Sequence, residues 1–168
     1  ILYGDRAEPA RDVAFGARDR CDETVFRLRT VRDARYRYIR NFTPERPFLQ
    51  ANDYKERQYP VWSLIKELGA AGKLTDWQRN FYLSPTMAPE ELYDMNTDPW
   101  AMNNLVNSQD PVHQTTLVRL RGTLEKWITE SDDQGRVLES AALVAAKGAT
   151  KPAAGANSGK QKKNKKVN

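Results

Sequence analysis

The chain has 168 residues, of which 39% are hydrophobic, and this is enough for one domain with a modest core. No apolar run approaches the roughly 20 residues of a membrane-spanning helix, so the sequence predicts no transmembrane segment. The formal net charge is +5, but residues 141–168 contain seven Lys and no acidic residue, so the preceding 140 residues carry −2. A nearly neutral body argues against a nucleic-acid-binding domain, whose basic excess would lie on its folded part.

The ends of the chain differ in composition from the middle. Residues 1–12 are polar, include Pro9 and show neither an initial Met nor a signal peptide, so we expect them to end a linker from an upstream domain. The chain is therefore expected to be the C-terminal piece of a longer protein. Residues 141–168 are rich in Ala, Gly, Lys and Asn, which predicts a disordered tail. The predicted folded part is residues 13–140.

Period-two alternation predicts an antiparallel sheet in the first part of the chain. Residues 13–16 predict a short strand, and residues 24–32 predict a longer one. A tight turn is expected at Asp33, because a second Tyr-rich run, residues 35–41, follows it directly.

The next part of the chain has weaker patterns. Residues 43–60 contain three prolines and no sustained period, which predicts a long loop, and the aromatic residues of that loop favour a packed one. Residues 61–68 place apolar side chains on one side of a short helix that ends near Gly69. Thr75 and Gln78 have the spacing of a capping box and predict another short helix.

Residues 89–105 predict a strand, a turn and a capped helical turn. Leu92 and Tyr93 suit a half-buried strand. Asp98 has the chemistry of an N-cap, and Pro99 falls at the first helical position, where no backbone N–H is needed.

The best predicted helix begins at Asp110 and Pro111, which repeat this N-cap pairing. Its apolar residues form one stripe that runs to about residue 130: Leu117, Leu120, Leu124, Trp127 and Ile128. Because a sheet face and a helix stripe each need a partner, we expect the stripe to cover the sheet. The predicted fold class is α+β, a small antiparallel sheet with a C-terminal helix packed on one face.

The central stretch, ELYDM at 91–95 followed by DP at 98–99 and NL at 104–105, resembles the C-terminal signature of sulfatases, which share the alkaline-phosphatase-like fold. Other segments follow in the family's order: RDRCDE at 18–23, RTVR at 29–32, YRYIRN at 36–41 and the closing helix with Leu124 and Trp127. Ala101 departs from the pattern, because the family usually has an acidic residue there that would complete a capping box.

The resemblance implies that residues 13–140 are the C-terminal subdomain of a sulfatase. The upstream catalytic domain of the parent would then hydrolyse sulfate esters, with sulfated carbohydrates as the expected substrates and with formylglycine and calcium as its catalytic groups. A phosphoester hydrolase of the same superfamily and a non-catalytic module that binds acidic polymers are the alternatives.

The 168 residues alone are expected to be inactive. Formylglycine is made in a C-x-P-S-R or similar C-x-A-x-R context, which the run after Cys21 lacks, so we interpret Cys21 as a small packing residue. No clustered acidic motif suits calcium, which takes six or more oxygen ligands. The sequence therefore predicts neither a catalytic residue nor a metal ligand in this chain.

The candidate substrate-binding residues lie in one highly charged segment before the second strand: Arg18, Asp19, Arg20, Asp22 and Glu23. Arginine forks bind sulfate, and carboxylates accept hydrogen bonds from sugar hydroxyls. A salt-bridged surface turn is the alternative. The resemblance favours a pocket rim, because in this group of sulfatases the segment lies close to the substrate cleft.

The remaining polar candidates have structural interpretations. We expect His113 to be solvated in the first turn of the late helix, and Asp132 and Asp133 to cap the end of that helix or meet solvent. Glu90 and Glu91 are expected at a solvated strand edge. The Lys-rich tail predicts contact with polyanions by counterion release. The resemblance also implies export, to the periplasm or the cell exterior.

Overall fold

A computed structural model of the chain describes residues 11–137, 139 and 140. Most of the predicted linker and the whole predicted tail, residues 141–168, lie outside these described residues. Within the described part, no helix is both long and apolar enough to cross a membrane.

Four strands form one antiparallel sheet in the order β1-β2-β3-β4. They are β1 (Ala14–Arg18), β2 (Leu28–Arg32), β3 (Tyr36–Asn41) and β4 (Glu90–Asp94). The predicted turn joins β2 to β3, and it is stabilised by the Asp33 carboxylate, which accepts hydrogen bonds from the backbone N–H groups of Arg35 and Tyr36. The second predicted strand is shorter than expected, because pairing with its neighbours begins only at Leu28.

Four helices and one 3₁₀ turn complete the described part of the chain. They are α1 (Asp53–Gln58), α2 (Pro60–Ala70), α3 (Asp76–Tyr82), α4 (Pro111–Glu130) and the 3₁₀ turn Gln134–Arg136. The capping box predicted at the start of α3 is present in both directions. The loop predicted for residues 43–60 is wrong in its second half, where Asn52 caps α1 by accepting a hydrogen bond from the Lys55 N–H.

Helix α4 covers one face of the sheet, and its ends agree with the prediction. Leu120 and Leu124 are 0% and 1% exposed, and they pack with Val31, Tyr38 and Leu92 of the sheet in one core cluster. The predicted α+β class, with an antiparallel sheet and a C-terminal helix on one face, is therefore confirmed.

The capped helical turn predicted after β4 is absent. Ala101 adopts a left-handed backbone, with φ of 54°, so the chain turns away before a helix can form. Asp98 still acts as an acceptor, but it takes the N–H groups of Met102 and Asn103 at 2.7 and 2.8 Å instead of those of a first helical turn.

Glu90 is not the solvated edge residue that the sequence predicts. Its carboxylate accepts hydrogen bonds from Tyr38 at 2.6 Å, from Arg40 at 2.7 Å, and from Arg121 of α4 at 2.6 and 3.0 Å. Burial alone would raise the pKa of Glu90, but the hydrogen bonds from Arg121 and Tyr38 outweigh it and lower the pKa to about 2. Glu90 therefore links two strands to α4 as a carboxylate.

Candidate functional site

The sheet has one face covered by α4 and an opposite face, which we call the open face. The open face borders a cavity. Strand alternation places Arg18, Arg37, Ile39, Glu91 and Tyr93 on it, because the residues between them in sequence point toward α4. The cavity has a volume of about 540 Å³, within the range of about 300–1,000 Å³ typical of ligand sites. Its other lining residues are Leu28, Phe48, Asn80, Phe81, Ser84, Thr86, Met87, Ala88 and Asn104.

Two arginines give the cavity its positive charge. Within the part of the chain that the structure describes, neither Arg18 nor Arg37 forms a hydrogen bond or an ion pair with a carboxylate. The Arg18 guanidinium lies 4.0 Å from the ring centroid of Phe26. Arg37 lies directly opposite Arg32 in the β2–β3 register, and like charges in such positions repel each other. Both arginines are therefore available to an anionic group.

A carboxylate and a phenol face the same cavity. The Tyr93 hydroxyl donates a hydrogen bond to Glu91 at 2.7 Å. Burial, followed by the negative charge of Glu91, raises the pKa of Tyr93, so the phenol keeps its proton at neutral pH. The cavity thus combines cations for an anion with an acceptor for hydroxyl groups.

A row of ring contacts, which we call the aromatic row, adjoins the cavity: Phe26, Phe48, Phe81 and Trp77, of which Phe48 and Phe81 line the cavity. The Phe26 and Phe48 ring centroids lie 6.2 Å apart, and those of Phe48 and Phe81 lie 4.6 Å apart. Trp77 stacks on Phe81 at 5.1 Å with an interplanar angle of 7°. The row therefore extends from the ring beside Arg18 to α3.

The predicted segment 18–23 does not act as a single unit. Of its five candidates, Arg18 lines the cavity, whereas Asp19 hydrogen-bonds to Arg29 at 2.9 and 3.3 Å. The Arg29 side chain is 1% exposed and also pairs with Asp133 after α4. The prediction that Asp133 caps α4 or meets solvent is wrong, because its carboxylate accepts hydrogen bonds from this buried guanidinium. Asp19 has a structural role in this arrangement.

The other candidates lie in a tight turn that follows Arg18 in sequence. Cys21 and Thr24 pair their backbones at 2.9 and 3.0 Å, and Asp22 takes a left-handed φ of 52° between them. Arg20 donates to the Asp22 carbonyl at 3.1 Å, and Glu23 is exposed. Cys21 is exposed as well, so its expected packing role is wrong.

Sequence patterns alone do not reveal the residues that the fold brings to Arg18. Alternation in β3 does place Arg37 and Ile39 on one face, but it does not reveal which face α4 leaves open. The capping box locates α3, yet it cannot show that Phe81 meets Phe48 from the preceding loop. Long-range packing determines these contacts.

The remaining candidates for chemistry are clustered metal-ligating side chains and His113. The described residues contain no group of three or more His, Cys, Asp or Glu side chains that could hold a metal ion. His113 is half-buried, with its Nδ1 2.8 Å from the Ser108 hydroxyl and its ring against Tyr36. This contact differs from the solvated position expected for His113.

Comparisons with known proteins give one sequence relative and a set of structural neighbours. No protein-family model matches the chain. An ulvan-active sulfatase from Formosa agariphila is 36% identical over 139 residues, which is 83% of this chain and 23% of that protein. A 2-O GAG sulfatase of known structure covers 81% of this chain and 20% of its own, with 21% identity and a TM-score of 0.44. The sequence match confirms the resemblance predicted from the motifs: the chain is similar to part of a sulfatase.

Proposed function

We propose that this chain is the C-terminal subdomain of a sulfatase that hydrolyses sulfate esters on sulfated carbohydrates, and that the open-face cavity forms part of its substrate cleft. The observation that carries the proposal is the pair of arginines, Arg18 and Arg37, that line one cavity without carboxylate partners among the described residues. The chain spans about a quarter (23%) of the curated relative, which leaves room for a separate catalytic part in a protein of that kind.

The chemistry of the cavity suits a sulfated sugar. A guanidinium presents parallel N–H donors that match two oxygens of a sulfate or carboxylate group. The Glu91 carboxylate, beside the neutral Tyr93, can accept hydrogen bonds from sugar hydroxyls. Arg20 and Glu23 of the neighbouring turn would add a second donor and acceptor at the rim. A substrate that is both anionic and polyhydroxylated uses all of these groups.

The described residues do not fit the expected catalytic groups. We therefore assign formylglycine and calcium to the upstream catalytic domain of the longer protein. Export to the periplasm or the cell exterior belongs to the same proposal, since it rests on the family. The seven Lys of residues 141–168 would provide an additional, salt-sensitive contact with polyanions.

Turnover measurements test the proposal. The isolated 168-residue chain and the longer gene product are each given an aryl sulfate, an aryl phosphate and a sulfated polysaccharide. We expect no turnover by the isolated chain, and hydrolysis of both sulfate substrates by the longer product. Turnover by the isolated chain would contradict the proposal. A preference of the longer product for the aryl phosphate would favour the phosphoester hydrolase alternative.

A further inference from the structure

We propose that Trp77 and Phe81 form a stacking subsite for a sugar ring, next to the arginines of the open-face cavity. This inference rests on the proposed function and names how the carbohydrate would be held beyond its anionic groups. The ligand class is an oligosaccharide with at least one sulfate or carboxylate group.

The two rings are held in position but are not buried. Trp77 and Phe81 are 38% and 41% exposed, although each is large enough to contribute strongly to a core. They lie four residues apart in α3, so they project from the same side of the helix. The Trp77 indole N–H donates to the Met102 carbonyl at 3.2 Å, which fixes the direction of the indole ring. The stacked pair is therefore held in a fixed orientation while part of each ring stays exposed to solvent.

Contacts with other aromatic residues hold the two rings in place. Phe81 contacts Phe48 at 4.6 Å and Tyr82 at 4.9 Å between ring centroids, and Phe48 in turn contacts Phe26. A ligand that stacks on the outer rings would meet a preorganised surface, which reduces the entropy lost on binding.

The position of the rings relative to the arginines indicates which class of ligand the cavity would bind. Phe81 lines the same cavity as Arg18 and Arg37, so a ligand on the rings can reach a guanidinium with an anionic group. The C–H faces of a sugar ring are apolar and flat enough to pack on an aromatic ring, while the hydroxyl groups stay at its edge in water. A purely apolar partner would leave the two arginines without a counter-charge. These features together favour a charged oligosaccharide.

Binding measurements on the 168-residue chain test the subsite. The probes are a heparin tetrasaccharide and the same tetrasaccharide after chemical desulfation, titrated by calorimetry at a salt concentration that screens the contact with the Lys-rich tail. Trp77→Leu and Phe81→Leu remove the flat rings but keep apolar bulk, and melting temperatures check that both variants fold. Trp100→Ala is the matched control, because Trp100 is 82% exposed and forms no ring contact within the described residues. We expect roughly 3- to 10-fold weaker binding of both probes by the two Leu variants, and no change for Trp100→Ala.

The outcomes separate this inference from the proposed function. Unchanged binding by folded Trp77→Leu and Phe81→Leu variants would overturn the subsite and leave the proposed function standing. Equal binding of the two probes by the unaltered chain, with loss in the Leu variants, would support stacking and count against recognition of sulfate. An equal loss in Trp100→Ala, or no binding by the unaltered chain, would overturn the inference. So would variants that bind both probes normally but no longer associate with the upstream part of the longer protein.

Discussion

The arginines on the two faces of the sheet differ in whether they have carboxylate partners. On the face covered by α4, Arg29 meets the carboxylates of Asp19 and Asp133, and Arg40 meets that of Glu90. On the open face, Arg18 and Arg37 meet no carboxylate among the described residues. Since a buried charge must be compensated but a charge beside a cavity need not be, the first group holds the fold together and the second is available for a ligand.

Arg29→Met should have the largest effect on stability and tests the difference between the two faces most directly. It leaves two carboxylates, Asp19 and Asp133, without their guanidinium, and we expect a loss of about 3–5 kcal/mol in the free energy of unfolding, measured in urea. Arg37→Met on the open face is the matched control and should cost less than about 1 kcal/mol, because it strands no charge. Equal losses in both variants would show that the two faces do not differ in this way.

The packing of α4 gives the next largest effect. Leu124→Ala should lower the free energy of unfolding by about 2–5 kcal/mol, because Leu124 is 1% exposed in the core between helix and sheet. Val118→Ala, on the outer side of the same helix, where Val118 is 66% exposed, should change it by less than about 1 kcal/mol. A loss well under about 1 kcal/mol for Leu124→Ala would refute this packing.

Acid should weaken the covered face through Glu90. The folded-state pKa of about 2 lies below the ordinary value of 4.5, so this contribution to stability is complete above pH 4.5 and is lost as the pH falls toward 2. Its size is on the order of 3 kcal/mol, since one pKa unit corresponds to about 1.4 kcal/mol. Glu90→Gln should therefore remove part of the pH dependence of unfolding between pH 5 and pH 2. An identical slope in the variant and the unaltered chain would show that Glu90 is not a source of that dependence.

The open face should respond in specificity instead of stability. If the proposed function holds, Arg18→Ala, Arg20→Ala or Glu23→Ala in the longer protein should lower kcat/KM for a sulfated oligosaccharide, with a loss of transition-state stabilisation of about 1–3 kcal/mol, the scale of a charged hydrogen bond. A small aryl sulfate, which has no sugar hydroxyls, should be affected much less. If both substrates lose equally and the melting temperature falls, the segment is a structural salt-bridge cluster.

Helix-capping residues and the spacing of apolar residues correctly predicted helix boundaries, because these depend on interactions between residues that are close in sequence. The bounds of α4 follow from Asp110 and a regular apolar stripe, and the capping box of Thr75 and Gln78 forms as expected. The partners of buried charges have no such pattern. Arg29 and Asp133 are 104 residues apart, and only the folded sheet shows that they meet.

The same limit applies to the candidate site. The charged run at 18–23 predicts Arg18 as a substrate-binding residue. Charge alone does not distinguish its role from that of Asp19, which pairs with Arg29 on the covered face. Arg37 and Phe81 reach the cavity from elements that are far apart in sequence, so no spacing connects them. The helical turn predicted at Asp98 does not form, because Ala101 adopts a left-handed backbone; the sequence shows only that Ala101 lacks the acid of a capping box.

The side chain of Asn104 has a consequence for how the protein behaves among its own copies. Its amide oxygen accepts the Leu92 N–H at 3.0 Å and its amide nitrogen donates to the Glu90 carbonyl at 3.0 Å, while the Leu105 N–H bonds to the Leu92 carbonyl. These bonds occupy backbone groups along the outer edge of β4 that would otherwise recruit a strand from another molecule. Asn104 and the backbone of Leu105 together thus protect this edge of the sheet against edge-to-edge aggregation.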